Sequence, residues 1–451
     1  MEDTVVTHSA KITKRRSYLA MIVALLLVGS FSVGFLAGSY YPKVLGRQTS
    51  QPALPLVPPD PTPDEPLRKY SIQNLQSYPF QVSEITIERV LERNTAYTSY
   101  VFSYKTLGKK MSGQLNIPVT ATEKEAPVIV MVRGYVDAEE FHTGSGTSPV
   151  ASEFAKAGYI TVAPDFLGFG NSDQPGPGWE SRFEKPVNVI ELIQSLRLHN
   201  SLTFKDATFK MNPNKMGIWA HSNGGQIAIT TLEAIGEPIP LAVWAPVTAP
   251  FPYSVLYYSD EMDDGGAGMR SALAGFEQVY NVQEYSLTQH LNRLRSPVQL
   301  HQGTADDAVP KKWSDEFVKK IKAENDRRTF EQERLIAQQT QLENERKAAI
   351  AATASAVPSP VLIAASPSSS AATQLAASQD GSTSARILSD NVLTRDNLAS
   401  VNTSIRVEDA YFKPIDITYY VYQGGNHFMR PGWEEAVSRD VSFFAKHLNV
   451  R

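Results

Sequence analysis

Apolar and polar positions alternate along the segment after residue 80. Ile85, Ile87, Val90 and Leu91 read as one strand. Tyr97, Tyr100, Phe102 and Tyr104 read as a second, and Met111, Gly113, Leu115 and Ile117 as a third, with a turn at residues 105–110. The pattern then changes to short unbroken apolar runs, suited to strands buried on both faces. These are Val128–Val132, Tyr159–Ala163, Met216–Trp219, Leu241–Trp244, the run from Pro297 and Ile417–Tyr422. Between them lie stretches with helical periodicity: Pro149–Ala157, Val187–His199, Ile227–Ile235, a long run from Lys311, and Pro431–Leu448. Apolar strands alternating with helices predict an α/β protein built on a mostly parallel sheet with helices on both faces.

Other stretches lie outside this pattern. Residues 1–17 are polar and end in Lys14-Arg15-Arg16. No charge occurs from Tyr18 to Tyr41. That run spans roughly 36 Å as a helix, enough to cross a ~30 Å hydrocarbon core. It predicts a single-pass cell-membrane anchor, with residues 1–17 cytoplasmic and the rest of the chain extracytoplasmic. The alternative is a cleaved signal peptide and secretion, with Ala37-Gly38-Ser39 as the cleavage site. Residues 42–69 are rich in proline and read as an extended linker. Residues 70–328 and 407–451 then make up one folded domain. Residues 329–406 read as an insertion: a charged helix, then an Ala/Ser/Thr/Pro-rich tail with too few large apolar residues to offset the entropy of ordering. The 451-residue chain has no cysteine, which excludes disulfides, a thiol nucleophile and cysteine metal sites. Its net charge of −4 suggests no nucleic-acid partner.

The candidate chemistry sits where predicted strands end. Ala220-His221-Ser222-Asn223-Gly224-Gly225 joins a strand to a helix and has the form small-x-Ser-x-Gly. In such a nucleophile elbow a tight turn lifts the serine hydroxyl to the mouth of a helix, so small residues must flank it. The Val298–His301 strand runs into Gly303-Thr304-Ala305-Asp306-Asp307-Ala308-Val309-Pro310. The strand at 417–422 runs into Gly424-Gly425-Asn426-His427. Ser222, Asp306 and His427 therefore occur in the chain order of the α/β-hydrolase triad. A serine hydroxyl is a poor nucleophile at neutral pH. It needs a base within hydrogen-bond reach, and the base needs an acid to fix its tautomer.

These three motifs resemble the catalytic domain of prolyl oligopeptidase-type serine peptidases, a group with dipeptidyl-peptidase and acylaminoacyl-peptidase relatives. The resemblance runs from about Thr86 to Leu448, apart from the insertion. It implies the α/β-hydrolase fold, Ser222 as nucleophile, His427 as base and Asp306 as the orienting acid. Asp307 is then a turn residue bonding local backbone N–H groups. It implies the backbone N–H groups of Tyr135 and Asn223 as oxyanion donors, with Arg133 standing where the family usually has histidine. It implies no cofactor or metal, and a peptide substrate. The β-propeller of many relatives has no room in this chain. Because the same machinery cleaves esters, a carboxylesterase acting on small acyl esters is the second reading, and a non-catalytic surface-binding module is the third. Asp165-Phe166-Leu167-Gly168-Phe169-Gly170-Asn171-Ser172 resembles a family loop in which Asp165 is structural. Residues 246–295 form a cap. Its aromatics Phe251, Tyr253, Tyr257, Tyr258, Phe276 and Tyr280 either line a substrate pocket or form the cap's own core. The acidic run Asp260–Asp264 reads as a solvated loop, or else as a site for a cation.

Overall fold

The computed structural model describes residues 65–355 and 413–450. The membrane-anchor span at 18–41, nearly all of the linker and the Ala/Ser-rich tail lie outside these residues. Among the described residues no helix is long and apolar enough to cross a membrane.

The strands are β1 (Thr86–Arg93), β2 (Tyr97–Thr106), β3 (Lys109–Pro118), β4 (Ala126–Val132), β5 (Ile160–Pro164), β6 (Ser201–Phe204), β7 (Ala207–His221), β8 (Leu241–Trp244), β9 (Val298–Gly303) and β10 (Ile417–Tyr422). The main path runs β1-β2-β3-β5-β4-β7-β8-β9-β10, with β6 pairing off it onto β7. β1, β2, β3 and β5 pair antiparallel in turn, and from β5 through β4 to β10 every pairing is parallel. A mixed, mostly parallel sheet is what the run pattern predicts. The apolar run at Met216–Trp219 is only the end of a longer strand. Its polar first half pairs with β6 as a hairpin, which period-based reading misses because it carries little apolar signal.

The helices of seven or more residues are α1 (Ser148–Lys156), α2 (Lys185–Arg197), α3 (Asn223–Ile235), α4 (Tyr253–Ser259), α5 (Ala267–Glu277), α6 (Lys311–Ser355) and α7 (Trp433–His447). Alternate residues of β4 separate the two faces of the sheet. Val128, Val130 and Val132 pack with α2, α3 and the first turns of α6, whereas Ile129 and Met131 pack with α1 and α7. β4, β5, β8 and β9 are buried along their whole length, which explains their unbroken apolar runs. Gly217 on β7 is a close-packing site: an added Cβ would lie 2.5 Å from the ring of Phe444.

The charged helix α6 is continuous from Lys311 to Ser355, and its first part packs on the core. Phe317, Val318 and Ile321 are buried. Arg328, buried too, donates to the carbonyls of Leu291, Leu294 and Lys413. Asn325 both donates to and accepts from the backbone of Ile415. Farther along, Phe330, Ile336, Leu342 and Ile350 are exposed.

The question of the cap aromatics is decided by packing. Phe251, Phe276 and Tyr285 form a separate core with Tyr70, Leu75 and Phe183, and Tyr280 packs against it. They make up the cap's own core. Tyr253 and Tyr257 are exposed, and Tyr258 bonds to the Ala308 carbonyl. In the acidic run, Asp264 accepts from the backbone N–H groups of Gly266 and Gly268, and Asp260 pairs with Arg270 at 3.1 Å. These contacts are those of a surface loop closed on itself.

Candidate active site

After β5 the chain crosses back over β4 to form β7, so the loops after β4 and β7 diverge and leave a crevice at the carboxyl ends of the strands, where ligand sites of open α/β sheets form. Ser222 stands at this point, between β7 and α3. Its backbone is at φ 56°, ψ −124°, a conformation non-glycine residues rarely adopt and one that costs about 1–3 kcal/mol. Three backbone bonds hold it there. The Ser222 N–H donates to the Trp244 carbonyl at 2.9 Å, and its own carbonyl accepts from Gly225 and Val247, both at 3.0 Å. The small residues have direct causes. A Cβ on Gly224 would collide with the Val132 carbonyl, and one on Gly225 would come 2.5 Å from Pro246.

Asp306 follows β9 with its side chain wholly buried, and His427 follows β10 nearly buried. His427 Nδ1 lies 3.0 Å from both carboxylate oxygens of Asp306. Asp306 Oδ1 also accepts from the N–H groups of Ala308 and Val309, and Oδ2 accepts from Gln302 Nε2. Burial pushes this carboxyl up, but the bonds from His427, Val309 and Ala308 outweigh it and hold it below its ordinary value. It is therefore ionised at neutral pH. Asp307 is exposed and makes none of these bonds. The expectation that Asp307 binds the turn's N–H groups is corrected: Asp306 orients the histidine and closes its own loop, because its side chain points inward where both sets of donors converge.

Ser222 and His427 border one cavity of about 530 Å³. Trp219, Trp244, Trp433 and Phe428 supply its apolar wall, and Gly134, Ser145 and Gly146 a polar one. The Ser222 hydroxyl makes no hydrogen bond to the described residues, so the serine–histidine bond is not formed here. Such bonds often tighten only with substrate in place. Tyr135 also borders the cavity. Its side chain is 80 % exposed, so it does not cover the core. Gly134 lies against Ser222, since a Cβ there would meet Ser222 Cβ at 2.8 Å. Neither the Tyr135 nor the Asn223 N–H donates to a protein acceptor among the described residues. Asn223 begins α3, where free N–H groups and the helix dipole favour an anion.

Three residues emerge only from the structure. Arg133 is buried. It donates through Nε and Nη2 to the Asp165 carbonyl and through Nη1 to the Gly134 carbonyl, and lies over the rings of Phe141 and Phe169. Its role here is to shape the loop carrying Gly134 and Tyr135. Asp165 is structural, accepting from Ser112 Oγ and Thr143 Oγ1. Gln302 braces Asp306. His221 packs on the imidazole of His427 with ring centroids 4.5 Å apart, and its Nε2–H donates to the His427 carbonyl at 3.0 Å. Residue type hints at none of the roles of Arg133, Gln302 and His221, because each depends on where the folded chain places its partner.

His221 has a pH consequence. Burial, aided by the neighbouring His427, pulls its pKa down to about 3. The unfolded chain therefore binds this proton at a higher pH than the folded chain. From its ordinary value near 6.5 down to about 3, the stability this residue allows falls with pH, by roughly 1.4 kcal/mol per unit. Melting temperatures at pH 7 and pH 5 should fall less in His221→Phe than in the native chain. Equal falls would show that the ring does not stay neutral.

No protein-family model matches the chain, and no curated protein matches it. Solved structures are similar to it at low identity. Acetyl xylan esterase 1 from Thermoanaerobacterium sp. is 13% identical, over 58% of this chain and 84% of its own, with a TM-score of 0.42. A puromycin-hydrolyzing peptidase of Mycobacterium tuberculosis is 14% identical, over 80% of this chain and 41% of its own, at 0.44. Dipeptidyl peptidase 4 of Porphyromonas gingivalis is 13% identical, over 51% of this chain and 31% of its own, at 0.38. Identities and scores this low leave activity and substrate to be read from the site itself.

Proposed function

We propose that this chain is a serine hydrolase that works through an acyl-enzyme. One observation carries the reading: a serine held at positive φ between a strand and a helix borders the same cavity as a histidine whose Nδ1 rests on a buried carboxylate. Ser222 Oγ attacks a carbonyl carbon while His427 Nε2 takes its proton. Asp306 keeps the proton on Nδ1 and stabilises the imidazolium. The N–H groups of Tyr135 and Asn223 receive the oxyanion. His427 then returns the proton to the leaving group, and water repeats the cycle on the acyl-enzyme. Peptides are the first substrate class, by the resemblance of the three motifs. Small acyl esters are the second, favoured by a cavity of about 530 Å³ with no propeller over it among the described residues.

A fluorophosphonate probe separates an enzyme from a binding module: it should label the native chain at Ser222, and an unlabelled native chain would overturn the hydrolase reading. Paired panels of aminoacyl arylamides and short-chain aryl esters then decide between peptide and ester. The uncharged run at 18–41 behind Lys14-Arg15-Arg16 further supports anchoring with the catalytic domain outside the cytoplasm. In intact cells, added protease should digest that domain, and the protein should sediment with membranes. Protection until lysis would reverse the orientation.

A further inference from the structure

A second, small hollow lies between the start of α3, the start of α2 and the cap core, and Asn223, the residue after Ser222, borders it. Its volume is about 30 Å³. A single water needs about 10–15 Å³ by the same measure, so there is room for a group the size of a carboxylate and not for a ring. Arg182 and Lys185 line it, with Asn223, Gln226 and Thr230 of α3 opposite them, and no Asp or Glu is among the lining residues.

The two cations are poorly compensated. Arg182 spends Nη2 on Gln226 Oε1, at 2.8 Å. Its Nε is buried and has no hydrogen-bond partner. Its guanidinium also lies over the ring of Phe251, 5.8 Å from the centroid. The carboxylates nearest in sequence are engaged elsewhere: Glu184 accepts from the Gly176 N–H, and Glu180 accepts from the Tyr70 hydroxyl and pairs with Lys69 at 3.3 Å. Burial pulls Arg182 down to about 10, and burial with Arg182 and Arg133 nearby pulls Lys185 down to about 8, against a smaller opposing attraction from Glu184. Two cations in a desolvated hollow with no anion opposite are costly, and a bound anion relieves that cost. Gln226, which holds Arg182, is one helical turn beyond Ser222, and Asn223, which borders the hollow, directly follows Ser222, which borders the catalytic cavity.

Building on the serine-hydrolase reading, we propose that Arg182 and Lys185 form a substrate subsite for a carboxylate carried a few atoms from the scissile bond. The guanidinium presents planar paired donors to a planar anion, and the ammonium adds a point charge. The natural substrate class is then an ester or amide with a free carboxylate on one of its two parts.

The test uses the full chain and two matched pairs of aryl esters. The first pair, 4-nitrophenyl glutarate monoester against 4-nitrophenyl valerate, places the carboxylate on the acyl part. The second, 3-carboxy-4-nitrophenyl butyrate against 4-nitrophenyl butyrate, places it on the leaving part. In at least one pair the anionic ester should have kcat/KM at least tenfold higher, mainly through KM. Lys185→Met and Arg182→Gln should each reduce that ratio towards one. Free glutarate should inhibit the favoured ester more than inorganic phosphate does at equal ionic strength. Parity or a neutral preference in both pairs overturns the proposal, as does a preference that survives in both variants. Stronger inhibition by phosphate overturns the carboxylate assignment. Fluorophosphonate labelling keeps the two readings apart. A chain that labels at Ser222 but shows no anionic preference loses only the subsite, whereas a native chain that does not label loses both. If a variant fails to fold, the native ratio and the competition still decide.

Discussion

Ser222→Ala should lower kcat by roughly 10⁴–10⁶ on the best substrate of the panels, with the fold retained. The oxygen it removes is the enzyme's only covalent bond to the acyl carbon in the intermediate. The residual rate comes from the oxyanion donors and binding. The backbone should not respond, because the three bonds that fix residue 222 are made by its N–H and carbonyl, not by its side chain. The positive φ of 56° adds a second readout. Glycine carries no Cβ penalty at positive φ, so Ser222→Gly should be inactive and at least as stable as Ser222→Ala. Turnover within tenfold of the native chain, in pure Ser222→Ala protein, would remove this serine from the mechanism.

Asp306→Asn should cost about 10⁴ in kcat, and Asp307→Asn less than tenfold, a change below about 1.4 kcal/mol in the barrier. The two aspartates are adjacent, yet only Asp306 is buried against His427. An asparagine at 306 has one acceptor oxygen where the carboxylate has two. With that oxygen towards Ala308 and Val309, the amide N–H groups face the Gln302 amide and His427 Nδ1, and the imidazole is driven to the wrong tautomer. The clash of buried donors also costs about 1–3 kcal/mol, so the melting temperature of Asp306→Asn should drop at neutral pH. The native carboxylate, held below its ordinary pKa, contributes stability that is fully present above its unfolded value of about 3.8 and lost as pH falls through its lower folded value. The gap between native chain and variant should therefore narrow in acid. An active Asp306→Asn beside a dead Asp307→Asn would place the acid one residue later.

Several features of the site were legible because they are local. The elbow demands small residues within three positions of the serine, and Gly224 and Gly225 meet neighbours that leave no room for a Cβ. The order Ser222, Asp306, His427 follows from strands that each end in a loop. Asp306 and Asp307 could be told apart only by resemblance, since which of two consecutive turn residues points inward depends on the path of the loop. Even so, the turn-closing bonds went to Asp306 and not to Asp307. His221, Gln302 and Arg133 were illegible as positioning residues: the partners of His221 and Arg133 lie 206 and 32 positions away along the chain, that of Gln302 is fixed by the path of the loop after β9, and nothing in their side-chain chemistry names those partners.

The sequence by itself determined what depends on period and on short-range sterics: the buried parallel strands, the helices between them, the elbow and the chemical types at the strand ends. Tertiary structure decided what depends on which segments meet. It formed the hairpin of β6 with the polar half of β7, drew the cap aromatics into a core of their own, and set Trp219, Trp244 and Trp433 around the nucleophile. It also set two cations beside a hollow lined by no carboxylate. The physical reason is the range of the forces: hydrophobic period and backbone clashes act within a few residues of chain, whereas desolvation and charge pairing are set by neighbours that only folding supplies.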